Sequence, residues 1–83
     1  MISYLDDGFV RCFQKLQDRI KRNARKNYKL WKQNPSHPSL EFKRVHPREP
    51  IYSIRVGIGW RALGVKEDDA IIWFWIGSHS DLP

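Results

Sequence analysis

The apolar residues of this chain change their repeat once, and that change sets the order of its elements. Up to Trp31, the residues Phe9, Phe13, Leu16, Ile20, Ala24, Tyr28 and Trp31 recur at steps of four and three, the spacing of one helical face. After Pro38 the repeat is two. Leu40 and Phe42 alternate with Glu41 and Lys43, and Tyr52, Ile54 and Val56 alternate with Ser53 and Arg55, as in strands with one covered face. The spacing predicts two helices, roughly Asp7–Leu16 and Asp18–Gln33, with Asp18 as the N-cap of the second. Asn34-Pro35-Ser36-His37-Pro38 ends that helix. Beyond the strand-like pairs, Trp60 to Val65 and Ala70 to Gly77 read as further strands. Gly57 and Gly59 mark one turn, and Lys66-Glu67-Asp68-Asp69 marks another. The last segment is apolar on both faces and belongs inside the sheet. The expected fold class is α+β: two N-terminal helices packed on one face of a three- to four-stranded antiparallel sheet.

Size narrows the choice further. A chain of 83 residues supplies one hydrophobic core, so residues 1–83 are expected to form a single domain. The longest apolar run, Ala70 to Ile76, is far short of the roughly 20 residues that span a bilayer, and no membrane association is expected. Asp6 and Asp7 stand where a secretion signal would place basic and apolar residues. Cys12 is the only cysteine and cannot close an internal disulfide, so the expected compartment is the cytoplasm. The net charge is +6, with four tryptophans. That balance points to a nucleic-acid or acidic-partner binder rather than a small-molecule enzyme. All of the excess lies in residues 1–33, where nine Lys/Arg face three Asp. A solvated helix surface explains most of it, and attraction to RNA phosphates is compatible with the same charges.

Few standard catalytic motifs are present. There is no phosphate-cradling glycine loop, no cysteine pairing for zinc, and no Ser/His/Asp order. His37, His46 and His79 lie in loop-like segments, and neither a metal site nor a cofactor is expected from them. Arg55 between Ile54 and Val56, and Arg61 between Trp60 and Ala62, are harder to explain as structure. With Tyr52, Ile54 and Val56 facing the helices, Arg55 projects from the other sheet face, and Arg61 reaches that face if the turn register permits. With Lys43 from a neighbouring strand, the guanidiniums would form a cationic cleft suited to a phosphodiester. His79, beyond the last strand, is placed to exchange a proton there. The competing explanation is charges that keep the sheet soluble and block edge pairing. Spacing alone supports both equally.

Five segments carry a resemblance. Tyr-Lys-Leu-Trp-Lys-Gln-Asn-Pro (28–35), His-Pro-Ser-Leu-Glu-Phe-Lys-Arg-Val (37–45), Ile-Tyr-Ser-Ile-Arg-Val-Gly (51–57), Trp-Arg-Ala-Leu-Gly (60–64) and Trp-Phe-Trp-Ile-Gly-Ser-His (73–79) occur in that order. Together they resemble the RelE/ParE superfamily of toxins from bacterial toxin–antitoxin pairs. The resemblance implies two helices on an antiparallel sheet, usually with a short strand before the first helix, for which Ile2 to Leu5 is the available stretch. It implies a cytoplasmic toxin silenced by a cognate antitoxin. RelE-like members are metal-independent endoribonucleases that cut messenger RNA on the ribosome through the ribose 2′-hydroxyl and so block translation. ParE-like members instead inhibit DNA gyrase.

Carried onto this chain, Arg61 matches the sheet arginine that contacts the scissile phosphate, and Arg55 matches a basic position on the preceding strand. His79 matches a position held by Arg or His. Lys43, Arg44 and Arg48 are the further candidates for contact with RNA. Two positions depart from the pattern. Ser53 stands where some nucleases have a lysine, and the chain ends at Ser80-Asp81-Leu82-Pro83 without the tyrosine-bearing helix common in the family. That ending leads to an expectation of weak or absent nuclease activity and of aromatic surface left open for a weak homodimer. Three readings therefore stand: a ribosome-dependent messenger nuclease, a gyrase inhibitor, and an inactive toxin-like domain that binds an antitoxin.

Overall fold

A computed structural model describes the whole chain, Met1–Pro83. The elements run β1 (Ile2–Leu5), α1 (Asp7–Gln14), α2 (Asp18–Gln33), then β2 (Lys43–Arg44), β3 (Ile51–Gly57), β4 (Trp60–Glu67) and β5 (Ala70–Ser78). Short 3-10 turns occupy Pro38–Leu40 and His79–Asp81. The sheet has five strands in the order β1-β5-β4-β3-β2. No helix is long and apolar enough to cross a membrane.

The helices fall where the repeat places them. Asp6 caps α1 by accepting a hydrogen bond from the Phe9 amide at 2.8 Å. The N-cap of α2 is Gln17 rather than Asp18, with no side-chain cap. Asp18 opens the helix instead, where its negative charge meets the positive end of the helix dipole. One face of α2 buries Ile20, Ala24 and Trp31 against Ile54, Val56, Ala62, Ile71, Trp73 and Ile76 from the strands. Trp31 is the centre of this layer. It stacks on Tyr28 at 6.1 Å between ring centroids and meets Trp73 edge-on at 5.5 Å and Phe42 edge-on at 5.7 Å.

The sheet corrects the expected count and direction of strands. It is five-stranded and mixed, not three- to four-stranded antiparallel, because β1 pairs parallel to β5, from Ile2 opposite Ala70 to Leu5 opposite Trp73. Parallel pairing needs a crossover, and α1 and α2 belong to the long excursion between these strands. The β1 side chains are largely exposed, so ladder hydrogen bonds hold the strand more than burial does. The Ser3 and Tyr28 hydroxyls, 2.6 Å apart, also tie it to α2. As expected, β5 lies inside the sheet, between β1 and β4.

The alternation at Leu40–Lys43 also misleads. Leu40 ends a 3-10 turn, Glu41 follows in the left-handed region at φ 46°, and only Lys43 and Arg44 pair as strand. The buried Leu40 and half-buried Phe42 reach the core from a bent segment rather than from one face of a strand. The second turn is tighter than the charged run implies. β4 extends to Glu67, leaving Asp68 and Asp69, with Asp68 at φ 52°.

Gly64 allows the core its close packing. A Cβ there would lie 2.8 Å from Cε3 of Trp73 and 2.9 Å from Cγ1 of Ile71. Gly64→Ala is therefore expected to destabilise the protein by about 1–3 kcal/mol, the usual range for overpacking. Urea unfolding measures this, and an unchanged midpoint would mean that the Trp73 ring moves aside without loss.

Candidate functional site

The sheet face turned away from the helices holds the candidate site. Register puts Arg55 directly opposite Arg61, and it sets Lys43 opposite Ser53, which in turn lies opposite Leu63. A β-bulge follows Arg55 in β3. The side-chain amide of Asn27 on α2 donates to the carbonyls of Arg55 and Val56 at 3.1 and 2.9 Å. That link fixes the end of β3, and with it the place of Arg55 on the open face.

Two like charges facing each other across a ladder repel, and Glu41 answers both. Its carboxylate accepts from Nη1 of Arg61 at 3.1 Å and lies 3.7 Å from Nη1 of Arg55. Nη2 of Arg61 donates to the Glu41 carbonyl at 3.3 Å, and Nε donates to Oγ of Ser53 at 2.7 Å. Ser53 is only 3% exposed, so this last bond fixes the guanidinium plane from inside the sheet. The Arg61 hydrogen bond, joined by the charges of Arg61, Arg55 and Lys43, holds the Glu41 carboxyl below the ordinary glutamate range. The sign follows directly. A carboxyl depressed by folding contributes stability at neutral pH, and that contribution disappears as pH falls through its lowered folded pKa. An NMR titration of the Glu41 carboxyl is expected to show its midpoint below that of an unpaired glutamate, and to return to the ordinary range in Arg61→Ala.

Beside this cluster is an open cleft of about 530 Å³. Arg61, Lys43, Ser53, His46 and His79 line its polar side, while Leu63, Phe74 and Leu82 are among its apolar residues. Leu63 is buried without belonging to the helix-side core; it floors this second, smaller apolar surface. His79 is held at the rim by its backbone, which donates to the Gly59 carbonyl at 2.7 Å. Gly59, at φ 76°, supplies the left-handed residue of that turn.

The residues singled out from sequence separate into two groups. Arg61, Lys43 and His79 line the cleft, and Arg55 adjoins it through Arg61 and Glu41. Arg44 turns to the 46–50 loop, where it donates to the backbone carbonyls of His46, Arg48 and Glu49. Arg48 is exposed on that loop. Sequence reasoning weighed His46 only as a metal ligand and Glu41 only as an outward strand position, and assigned neither to the site. Nδ1 of His46 accepts from the Arg48 and Glu49 amides at 3.1 and 2.9 Å, which fixes the ring as it borders the cleft. The His-Pro turn signal was the available hint. No three His, Cys, Asp or Glu side chains gather in the chain.

The net positive charge lies elsewhere. Arg25, Lys26 and Lys29 line a shallow groove on α2, on the helix layer rather than the arginine face. Phe13 and Tyr28 carry part of it: the Arg25 guanidinium lies 5.1 Å from the Phe13 ring and the Lys32 ammonium 4.6 Å from the Tyr28 ring.

Residues 18–82 match the ParE-like toxin domain family, a span that holds the α2 core face, the guanidinium pair and His79. The chain belongs to that family. Among solved structures, the fold is similar to that in the RelB–RelE antitoxin–toxin complex from Methanococcus jannaschii. The TM-score is 0.76 at 18% identity, covering 93% of this chain and 91% of the other. YafQ from Escherichia coli BL21(DE3) gives 0.75 at 13% identity, covering 94% and 92%. A YoeB/ParE toxin from Agrobacterium tumefaciens gives 0.73 at 10% identity, covering 95% and 99%. No curated protein matches the sequence. For a ParE-like toxin domain, the five-stranded mixed sheet with two helices on one face is thus a shared architecture. The site must be judged on its own side chains.

Proposed function

We propose that residues 1–83 act as one toxin domain, a metal-independent endoribonuclease that cleaves messenger RNA on the ribosome and is restrained by a cognate antitoxin in the cytoplasm. The observation that carries this reading is Arg61. It is oriented by a buried serine, faces a second arginine across the ladder, and borders a cleft with two histidines. Binding a protein surface does not require that arrangement. Guanidiniums fixed in advance stabilise the charge that builds on a phosphate under attack.

In this mechanism a ribose 2′-oxygen attacks the adjacent phosphorus, giving a 2′,3′-cyclic phosphate and releasing the 5′-oxygen. Arg61 and Arg55 bind the non-bridging oxygens, and Lys43 contacts the flanking backbone. His46 and His79 are the cleft side chains able to exchange a proton, one to take the 2′ proton and the other to protonate the leaving oxygen. The basic surface of α2 draws the protein towards ribosomal RNA. An antitoxin partner is supported by the RelB–RelE complexes of M. jannaschii and Pyrococcus horikoshii, whose toxin folds this chain shares. Exposed Ile2, Tyr4, Leu5 and Val10 offer apolar surface to such a partner or to a second copy of the chain.

Reconstituted translation with the protein added, read by primer extension on the messenger, tests the reading. Cleavage that requires ribosomes supports it, and intact messenger overturns it. Membership of the ParE-like family favours a second reading, inhibition of DNA gyrase, which a supercoiling assay examines directly. Inactivity in both assays would leave an antitoxin-binding domain.

A further inference from the structure

Every nitrogen of the Arg61 guanidinium already donates within the chain. Nε is bound to Ser53, Nη1 to the Glu41 carboxylate and Nη2 to the Glu41 carbonyl. The same carboxylate also lies 3.7 Å from Nη1 of Arg55. A phosphate approaching the pair therefore meets an anion in its place. We propose that Glu41 is an internal latch: its carboxylate occupies the phosphate position between Arg61 and Arg55, and an incoming phosphodiester must displace it. This inference rests on the nuclease reading and deepens it.

The geometry suits a latch more than a permanent strut. The Glu41 side chain is 45% exposed, against 13% for Arg61, so the carboxylate is the partner able to swing into solvent. It extends from a left-handed residue directly after a 3-10 turn, outside the paired strands. Arg61 keeps its orientation when the Glu41 carboxylate leaves, because the Nε bond to the buried Ser53 and the Nη2 bond to the Glu41 backbone carbonyl do not involve that carboxylate. The contact to Arg55 is the looser of the two, at 3.7 Å against 3.1 Å. A role for Glu41 as general base fits poorly, since two arginines hold the carboxyl in its ionised, weakly basic form.

The test is binding of a fluorescein-labelled, single-stranded 2′-deoxy oligonucleotide, which cannot be cleaved through a 2′-oxygen, followed by anisotropy at fixed salt. Glu41→Gln keeps the shape and an acceptor for Arg61 while removing the charge. It is expected to bind about five- to tenfold tighter than wild type, from loss of an exposed ion pair together with its repulsion of phosphate. Glu67→Gln, a remote neutralisation on the β4–β5 hairpin, controls for net charge and is expected to change binding less than twofold (roughly, for a screened surface charge). In an Arg61→Ala background the effect of Glu41→Gln is expected to vanish. Equal tightening by Glu67→Gln, no tightening by Glu41→Gln, or tightening that persists without Arg61 would each overturn the latch. In those cases the nuclease reading stands as long as Arg61→Ala alone weakens binding. If Arg61→Ala leaves binding unchanged, the phosphate site and the latch fall together.

Discussion

On the proposed nuclease reading, Arg61→Ala is expected to reduce ribosome-dependent messenger cleavage by about 10²–10³-fold, the usual loss when one preorganised donor to a transition-state oxyanion is removed. Fold and stability should change little. The side chain leaves the sheet on the cleft side, its ion-pair partner Glu41 is exposed, and exposed pairs add little to stability. Ser53 would lose its Arg61 partner, but its hydroxyl borders the cleft, where water can replace the guanidinium. Arg61→Lys is the informative companion. It keeps the charge but loses the planar fork that would hold Ser53 and a phosphate oxygen in one fixed geometry. Primer extension on a fixed messenger, with protein folding checked by near-ultraviolet circular dichroism, measures both. Lysine restoring full cleavage would mean that charge alone is needed and that orientation by Ser53 has no catalytic consequence. Full activity in the alanine variant would remove Arg61 from the reaction.

Trp31→Ala is expected to have the largest effect on folding, about 3–5 kcal/mol. Small domains have roughly 5–15 kcal/mol in all, so much of the protein's margin would be lost. Trp31 is 0% exposed and joins α2 to β5 through Trp73, and to the bent 40–43 segment through Phe42. Its removal leaves a cavity that rigid strands on one side cannot close. Trp31→Phe should lose far less, about 1–2 kcal/mol. It keeps a ring against Tyr28 and also deletes an indole N–H that is buried without an acceptor, as is that of Trp73. Such a group opposes folding wherever it lacks a partner. Equilibrium unfolding in urea distinguishes the two variants. A midpoint for Trp31→Ala near that of wild type would show that the aromatic layer repacks, and that the core does not depend on this residue.

Both variants act where the sequence was most readable. The steps of four and three through Trp31 located α2 to its last residue and named the residues that meet the sheet. The alternation around Arg55 put that cation on the face opposite the helices, and the strand register then sets Arg61 directly opposite it. Local signals suffice for such features because a helical face and a strand face are properties of consecutive residues. Glu41 was different. Its place between the apolar Leu40 and Phe42 read as an ordinary outward strand position, whereas the backbone is left-handed there and the carboxylate returns to the sheet.

The sequence by itself determined the helix-then-strand order, much of the core and the side of the sheet on which Arg55 stands. Tertiary structure alone decided that β1 joins β5 in parallel, that Ser53 orients Arg61, that His46 and His79 share a cleft, and that Glu41 fills the guanidinium pair. The reason is separation along the chain. Periodicity records what each segment buries, but contacts such as Glu41 with Arg61, twenty residues apart, exist only once loops have closed and strand registers are set.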